Sequence, residues 1–224
     1  VGIGEAQPSR PWFKDLPDGI KLTQNAAWGS AVVDLSHPAW ADFVAERIVA
    51  PLWASGYRGF FLDTLDSYRL AKNFDEAAQQ RGLIKVIETL HRRFPGIRLI
   101  LNRGFEVVPA VRDKIAMVAA ESLFQGWDAG NQRYVEVPAS DREWLLGQLR
   151  KVRDEHRLPV LAIDYVTPGD RALARATAER IKALGIVPWV ADGLLDSLGV
   201  GAIEVVPRKV LILYDRKEAS TLNE

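Results

Sequence analysis

The chain has 224 residues, of which 48% are hydrophobic and 26% charged, so its composition is that of a globular protein with a sizeable core. Lysine plus arginine equals aspartate plus glutamate at 29 each, and this zero net charge gives no reason to expect nucleic acid as a partner. No apolar run reaches the roughly 20 residues needed to cross a bilayer, so we expect no membrane insertion. The absence of cysteine excludes thiol catalysis, disulfides and cysteine-ligated metals.

Short apolar runs alternate along the chain with amphipathic segments. The runs are nearly continuous, as is typical of strands buried on both faces. Helices are predicted over residues 36–54, 74–94 and 170–184, and another is expected to start at a capping box formed by Ser140 and Glu143. The apolar runs predict strands at residues 1–4, 31–33, 59–62, 98–101, 116–120, 160–163 and 187–190.

Alternating strands and helices predict parallel strands, which leaves a (β/α)8 TIM-type barrel or an open doubly wound sheet. A barrel brings its strand ends together at one mouth, where enzymes of this fold place their catalytic residues. No glycine-rich phosphate loop follows the first strand, which weakens the doubly wound alternative. The polar residues at the strand ends, which favour an α/β protein of the barrel type, are Glu5, Asp34, Asp63, Asn102, Glu121, Asp164 and Asp192.

Seven predicted strands are one fewer than such a barrel needs. The chain starts at Val1, inside a predicted strand, so we expect the first strand to lie upstream of Val1 in a longer protein. The barrel is predicted over residues 1–206. Residues 207–224 are expected to form a C-terminal tail or the start of a following domain.

Asp63 and Glu121 are the strongest candidates for catalysis. Asp63 directly follows the apolar run 60–62, although a helix cap at Asp63 or Thr64 explains that carboxylate equally well on its own. Glu121 also ends an apolar run, and glutamate is a poor helix cap, so capping explains it less well. Two carboxylates at a barrel mouth are the minimum that a glycosidase needs, one as nucleophile or base and the other as proton donor.

Aromatic residues beyond the strand ends point to a sugar substrate. Their rings can stack on the C–H faces of sugars while neighbouring carboxylates and amides bind hydroxyl groups. The alternative is that individual rings only fill the barrel mouth. Trp40, Trp53 and Trp144 follow helical periodicity instead and are expected in the core or in helix–barrel packing. The aromatic residues in loops or at strand ends are Trp12, Trp28, Trp127, Trp189, Tyr68, Phe124, Tyr134 and Tyr165.

No cofactor and no metal are expected. The three histidines are scattered and no HExxH motif occurs. Binding of Ca²⁺ or Mg²⁺ by carboxylates alone stays open as an alternative, although no loop has EF-hand spacing. A metal-dependent aldolase or a phosphate-binding isomerase would need a lysine or metal cluster at the strand ends. None of the seven strand ends is a lysine, so these barrel enzymes are poor alternatives.

Six stretches of the sequence resemble the polygalactosaminidase-type glycoside hydrolases found in Pel exopolysaccharide biosynthesis. The resemblance runs from Val1 to about Pro207 and depends on the order and spacing of the motifs. It implies a (β/α)8 barrel that cleaves α-1,4-linked N-acetylgalactosamine or galactosamine polysaccharide internally. It also implies a periplasmic or secreted location and exopolysaccharide-assembly proteins as partners. The stretches are VGIGEAQPSRPWF, GFFLDTLDSY, LNRGFE, MVAAESLF, LAIDYVTP and VPWVAD.

The same resemblance implies roles for individual residues. Asp63 is expected to be the nucleophile and Glu121 the acid/base of a retaining reaction. For Asp66, support of the site, substrate contact and helix capping all stay open. The substrate-binding candidates are Glu5, Arg10, Asn102, Arg103, Asp164 and Tyr165 from the motifs, with Asp66, Tyr68, Trp127, Asp128 and Trp189 from position alone.

Retention predicts that the nearest carboxylate oxygens of Asp63 and Glu121 lie about 5–6 Å apart, whereas inversion predicts about 9 Å with a water between them. A partly deacetylated polymer is cationic, so Glu5, Asp66 and Asp128 are expected to attract it more weakly as salt rises. The alternative function is a carbohydrate-binding barrel without catalysis in an exopolysaccharide assembly complex.

Overall fold

The structure is a computed structural model that describes residues 1–195 and 199–201. The predicted tail 207–224 and the domain boundary at residue 206 lie outside these ranges. Short 3₁₀ helices span Pro11–Asp15, Ser67–Leu70 and Phe105–Val107. The strands are β1 (Glu5–Ala6), β2 (Lys21–Asn25), β3 (Ser30–Val33), β4 (Gly59–Leu62), β5 (Arg98–Asn102), β6 (Met117–Glu121), β7 (Gln125–Asp128), β8 (Arg133–Glu136), β9 (Val160–Tyr165), β10 (Val187–Ala191) and β11 (Val200–Gly201).

The α-helices connect successive strands along the chain. A first helical stretch consists of α1 (Trp40–Phe43), a π-helical segment (Val44–Val49) and α2 (Ala50–Ala54). The π segment ends two residues before Pro51, which lacks the N–H needed to continue the regular hydrogen-bond ladder. The other helices are α3 (Glu76–Arg93), α4 (Val108–Val111), α5 (Ala139–Asp154) and α6 (Arg171–Ala183).

The central sheet has the strand order β11-β10-β9-β6-β5-β4. Strands β4, β5, β6, β9 and β10 run parallel to one another, and β11 pairs antiparallel with β10. The predicted α/β class with a parallel sheet is therefore confirmed. Parallel strands place their carboxyl ends at one edge, which brings the ends of β4, β5 and β6 side by side.

The first residues of the chain extend this sheet beyond β4. The backbone N–H of Asp63 donates to Val1 O, and that of Ile3 donates to Asp63 O, both at 2.9 Å, in a parallel bridge. Gly4 then passes so close to Thr64 that a Cβ atom at this position would lie 1.9 Å from the Thr64 carbonyl oxygen. The N-terminal segment can therefore lie directly against the end of β4 only because residue 4 is glycine.

The prediction of a parallel strand at residues 31–33 is wrong, because β3 pairs antiparallel with both β1 and β2. The turn 26–29 that joins β2 to β3 is too short for the crossover helix that parallel strands need. Strand β2 escaped prediction because its sequence, KLTQN, is polar and none of its residues is fully buried. The resulting small sheet has the order β1-β3-β2.

The predicted capping box at Ser140 is also wrong. Helix α5 begins at Ala139 after Pro138, and no side chain caps its amino end. The Ser140 hydroxyl donates to the neighbouring Asp141 instead. By contrast, Asp75 caps α3 and Asp170 caps α6 through side-chain bonds to backbone N–H groups.

The core lies between the sheet and the surrounding helices. Helix α3 buries Leu83, Val86, Ile87 and Leu90, as its 3.6-residue period predicts. No helix in the described part of the chain is long and apolar enough to cross a membrane.

Candidate active site

A cavity of about 890 Å³ opens at the carboxyl ends of the parallel strands. Its volume is within the usual range of small-molecule sites. Residues from the ends of β4, β6 and β9 line it, together with the N-terminal segment and the loops after β6 and β10. The predicted site residues in its lining are Glu5, Arg10, Asp63, Arg103, Glu121, Trp127 and Tyr165.

Asn102 joins the two candidate catalytic carboxylates through one amide nitrogen. Its Nδ2 atom donates to Asp63 Oδ1 at 2.8 Å and to Glu121 Oε1 at 2.9 Å, so each amide hydrogen has its own carboxylate. Strand β5 lies between β4 and β6, which is why an amide at its end reaches both neighbours. Because one nitrogen contacts both oxygens, they are at most about 6 Å apart.

The two carboxylates that face Asn102 support this orientation of its amide. Its side chain is 7% exposed, and its Oδ1 atom has no hydrogen-bond partner among the described residues. The two carboxylates that face the Asn102 nitrogen need hydrogen-bond donors. A reversed amide would instead place its oxygen against a carboxylate oxygen on both sides.

Glu121 is held at three points. Its second oxygen accepts a hydrogen bond from the hydroxyl of Tyr165, and Arg103 donates from its guanidinium to the Glu121 main-chain oxygen at 2.7 Å. Burial, together with the adjacent Glu121 carboxylate, raises the pKa of Tyr165, so this hydroxyl remains a donor at neutral pH. Asn102 provides the third contact. The orientation of the Glu121 carboxylate is therefore fixed before any substrate binds.

Asp63 lies at the end of β4 and is not a helix cap. Besides Asn102, its Oδ1 atom accepts from the backbone N–H of Thr64 at 2.8 Å. The N-cap position of the next helix, Ser67–Leu70, belongs to Asp66, whose side chain makes no capping bond. Asp63 is half-buried and faces the cavity, whereas Asp66 is not part of the cavity lining.

Glu5 and Arg10 lie in the wall formed by the N-terminal segment. Glu5 is 7% exposed and accepts hydrogen bonds from Asn25 at 3.0 Å, from Ser67 at 2.6 Å and from Ser30. None of these donors is a cation. Arg10 is exposed, and its guanidinium makes no hydrogen bond or ion pair within residues 1–195 and 199–201. The wall therefore presents separate negative and positive groups rather than an ion pair.

Asp164 was predicted to contact substrate, but it is fully buried. Successive residues of a strand face opposite sides, so Tyr165 faces the cavity and Asp164 faces away from it. Its two oxygens accept from the backbone N–H groups of Leu123, Phe124 and Gln125 at 2.7–2.8 Å. Burial raises the pKa of Asp164, although these hydrogen bonds oppose the shift. Its observed contacts hold the loop that follows Glu121.

Three further substrate-binding candidates lie outside the cavity lining. Tyr68 is 3% exposed and packs edge-on against Phe74. Asp128 accepts hydrogen bonds from Asn131 and Arg133 and so closes the β7–β8 turn, and these donors lower its pKa. Trp189 lies in the middle of β10 beside the backbone of β11. These positions do not support a direct contact with a ligand in the cavity.

Two aromatic residues that line the cavity were not among the predicted site residues. Trp144 was expected in packing, yet it is 51% exposed, and Trp28 is 56% exposed. The apolar stripe of α5 is complete without Trp144, since Leu145, Leu149 and Val152 form its buried face. The exposure of Trp144 could have been predicted from that stripe, because the helical period places Trp144 about 100° away from the buried face of α5.

Comparison with known proteins identifies the family. Residues 1–207 match the glycoside-hydrolase family GH114. The chain belongs to this family. It is therefore a glycoside hydrolase, and its similarity to the relatives below supports the same conclusion.

The glycoside hydrolase domain of PelA from Pseudomonas aeruginosa is similar in sequence and structure. It is 41% identical, with a TM-score of 0.82 over 91% of this chain and 81% of that domain. Ega3 from Aspergillus fumigatus, solved in complex with galactosamine, shares the fold at 14% identity, with a TM-score of 0.63 over 90% of this chain and 76% of Ega3. An uncharacterized protein of Deinococcus radiodurans is 24% identical over 88% of this chain, which spans 64% of that relative's length.

Proposed function

We propose that the protein is an endo-acting glycoside hydrolase that cleaves α-1,4-linked N-acetylgalactosamine or galactosamine polysaccharide of the Pel type. Asp63 acts as the nucleophile and Glu121 as the acid/base of a retaining reaction. The observation that supports this proposal most strongly is the single amide nitrogen of Asn102, which contacts both carboxylates at the floor of the cavity.

The spacing of the carboxylates supports retention rather than inversion. Retaining glycosidases hold their two carboxyl groups about 5–5.5 Å apart, whereas inverting enzymes need about 6.5–9.5 Å to admit a water. The shared Asn102 nitrogen keeps Asp63 Oδ1 and Glu121 Oε1 within about 6 Å, which is close to the retaining value.

The reaction follows in two steps from these positions. Asp63 attacks the anomeric carbon and forms a glycosyl ester, while the glycosidic bond breaks and Glu121 gives its proton to the leaving oxygen. Glu121, now ionised, takes a proton from water, and the resulting hydroxide attacks the anomeric carbon and releases Asp63. Tyr165 and Asn102 hold Glu121 in one orientation through both steps.

The charge of the cavity supports an amino-sugar substrate. Four carboxylate residues line it against two arginines, and so the lining attracts a partly cationic polymer. Of the acidic residues expected to attract such a polymer, Glu5 lies in the cavity wall, whereas Asp66 and Asp128 do not. The galactosamine bound to Ega3 agrees with this substrate class. The lining carboxylates are Glu5, Asp63, Glu121 and Asp141.

A periplasmic or secreted location and exopolysaccharide-assembly partners are part of the same proposal.

Mass spectrometry of the products from defined α-1,4-linked galactosamine and N-acetylgalactosamine oligomers tests the proposal. We expect internal cleavage into shorter oligomers by the wild-type protein and none by Asp63→Asn or Glu121→Gln. Binding of these oligomers without any cleavage would instead support a carbohydrate-binding barrel.

A further inference from the structure

Two tryptophans are left exposed by the fold, and both line the cavity. All seven tryptophans lie within the described residues, and Trp28 and Trp144 are the two whose exposure exceeds half, at 56% and 51%. Trp53, by contrast, packs against both Phe94 and Arg58 and is partly buried. An exposed indole forgoes the stabilisation that burial of its large apolar surface would provide. Packing of the protein interior therefore does not explain these two rings.

The two rings come from opposite sides of the carboxylate pair. Trp28 lies in the turn between β2 and β3, in the small sheet that continues from the N-terminal segment beside β4. Trp144 lies on α5, the helix that links the β7–β8 hairpin to β9, on the β6 side of the sheet. In the strand order, β4, β5 and β6, which end at Asp63, Asn102 and Glu121, lie between the N-terminal segment, which leads to the small sheet of Trp28, and β9, which follows α5.

Each ring keeps an accessible face. Within the described ranges no aromatic ring or cation stacks on Trp28, and Trp144 meets Phe105 only edge-on, with 6.1 Å between ring centroids at an angle of 80°. Asp141 lies three residues before Trp144 on α5 and lines the same cavity, so an acceptor for hydroxyl or amino groups accompanies that ring. A flat apolar surface beside a hydrogen-bond acceptor suits a sugar ring.

We propose that Trp28 and Trp144 are sugar-binding platforms on opposite sides of the cleaved bond, so that the polysaccharide chain lies across the carboxylate pair. This inference rests on the proposed function and extends it to the units that flank the reacting sugar. Trp28 binds units on the Asp63 side, and Trp144 binds units on the Glu121 side.

Two measurements on the same variants test the platforms. The first is binding of a long α-1,4 galactosamine oligomer to Glu121→Gln protein by calorimetry, alone and combined with Trp28→Ala or Trp144→Ala. We expect each alanine to weaken binding roughly three- to tenfold and phenylalanine at the same position to restore most of it. Trp189→Ala is the matched control, because Trp189 is 38% exposed and lies outside the cavity lining. It is expected to bind like the parent.

The second measurement is the cleavage position in an oligomer labelled at its reducing end. With otherwise wild-type protein, Trp28→Ala and Trp144→Ala are expected to shift the cut in opposite directions along the oligomer. Shifts of the cleavage position in the same direction would refute the role of Trp28 and Trp144 as sugar-binding platforms without contradicting the proposed hydrolysis. Binding and cleavage equal to those of Trp189→Ala would have the same meaning. Tryptophan-dependent binding without any cleavage by the wild-type protein would leave the platforms and refute the proposed hydrolysis. Absence of both binding and cleavage in the wild-type protein would refute both.

Discussion

The ends of β4 and β9 present similar sequence patterns in opposite environments. In each, an aspartate follows apolar residues at the carboxyl end of a parallel strand. Asp63 faces the cavity and shares Asn102 with Glu121, whereas Asp164 is fully buried and accepts three backbone N–H groups. The partners of a carboxylate, rather than its place at a strand end, therefore distinguish a group placed for chemistry from one that supports the fold.

Loss of either candidate catalytic carboxylate should remove most of the activity. Asp63→Asn removes the nucleophile and Glu121→Gln removes the proton donor, so each should lower kcat on the polysaccharide by about 10³-fold or more. Initial rates of oligomer release, with thermal unfolding recorded for each variant, provide the measurement.

Asp128→Asn is the control for this prediction. Asp128 is a carboxylate at the end of β7 that closes the β7–β8 turn outside the cavity lining. The activity of Asp128→Asn protein should remain within about twofold of wild type. Near-normal turnover by Asp63→Asn or Glu121→Gln protein would refute the distinction between carboxylates placed for chemistry and carboxylates that support the fold. An equal loss of activity in Asp128→Asn protein would refute it as well.

Asp164→Ala should instead destabilise the protein. The change leaves three N–H groups without their acceptor, two of them in the buried residues Leu123 and Phe124, which we expect to lower the free energy of unfolding by about 3–5 kcal/mol. Urea unfolding gives this value. Any loss of activity should follow from misplacement of the loop after Glu121 and be smaller than in Glu121→Gln. A variant with wild-type stability and no activity would assign Asp164 to the chemistry.

Asn102→Ala tests the bridge between the two carboxylates. Without the shared amide, the pair loses both hydrogen bonds and repels more strongly, so kcat should fall by about 10–100-fold with a smaller change in KM. Asn25→Ala is a matched control, because Asn25 donates in the same way to Glu5 rather than to the pair. If both variants show the same kinetics, Asn102 has no special role in holding the pair.

Tyr165→Phe should have the smallest effect of the series, since it removes one of three contacts that hold Glu121. We expect kcat to fall by roughly tenfold. KM should change less than kcat, because the Tyr165 hydroxyl contacts Glu121. A wild-type kcat in this variant would show that the Tyr165 hydroxyl is not needed to hold Glu121.

Much of the site was predictable from strand-end residues, because parallel strands bring their carboxyl ends together. The contact of Asn102 with both carboxylates depends on β5 lying between β4 and β6, and strand order is a tertiary property that no local pattern contains. The burial of Asp164 was implied by strand alternation once Tyr165 was assigned to the cavity. The polar strand β2, and with it the antiparallel pairing of β3, gave no hydrophobic signal.

Trapping of the covalent glycosyl-enzyme shows whether Asp63 is the nucleophile of a retaining reaction. Glu121→Gln protein would be mixed with a galactosaminan oligomer that carries an activated aryl leaving group, which needs no protonation to depart. The first step then proceeds while the second lacks its base, so a glycosyl-enzyme should accumulate. Peptide mass spectrometry should locate the added sugar on Asp63. An adduct on another carboxylate would contradict the assignment, and products of inverted configuration without any adduct would contradict the retaining mechanism.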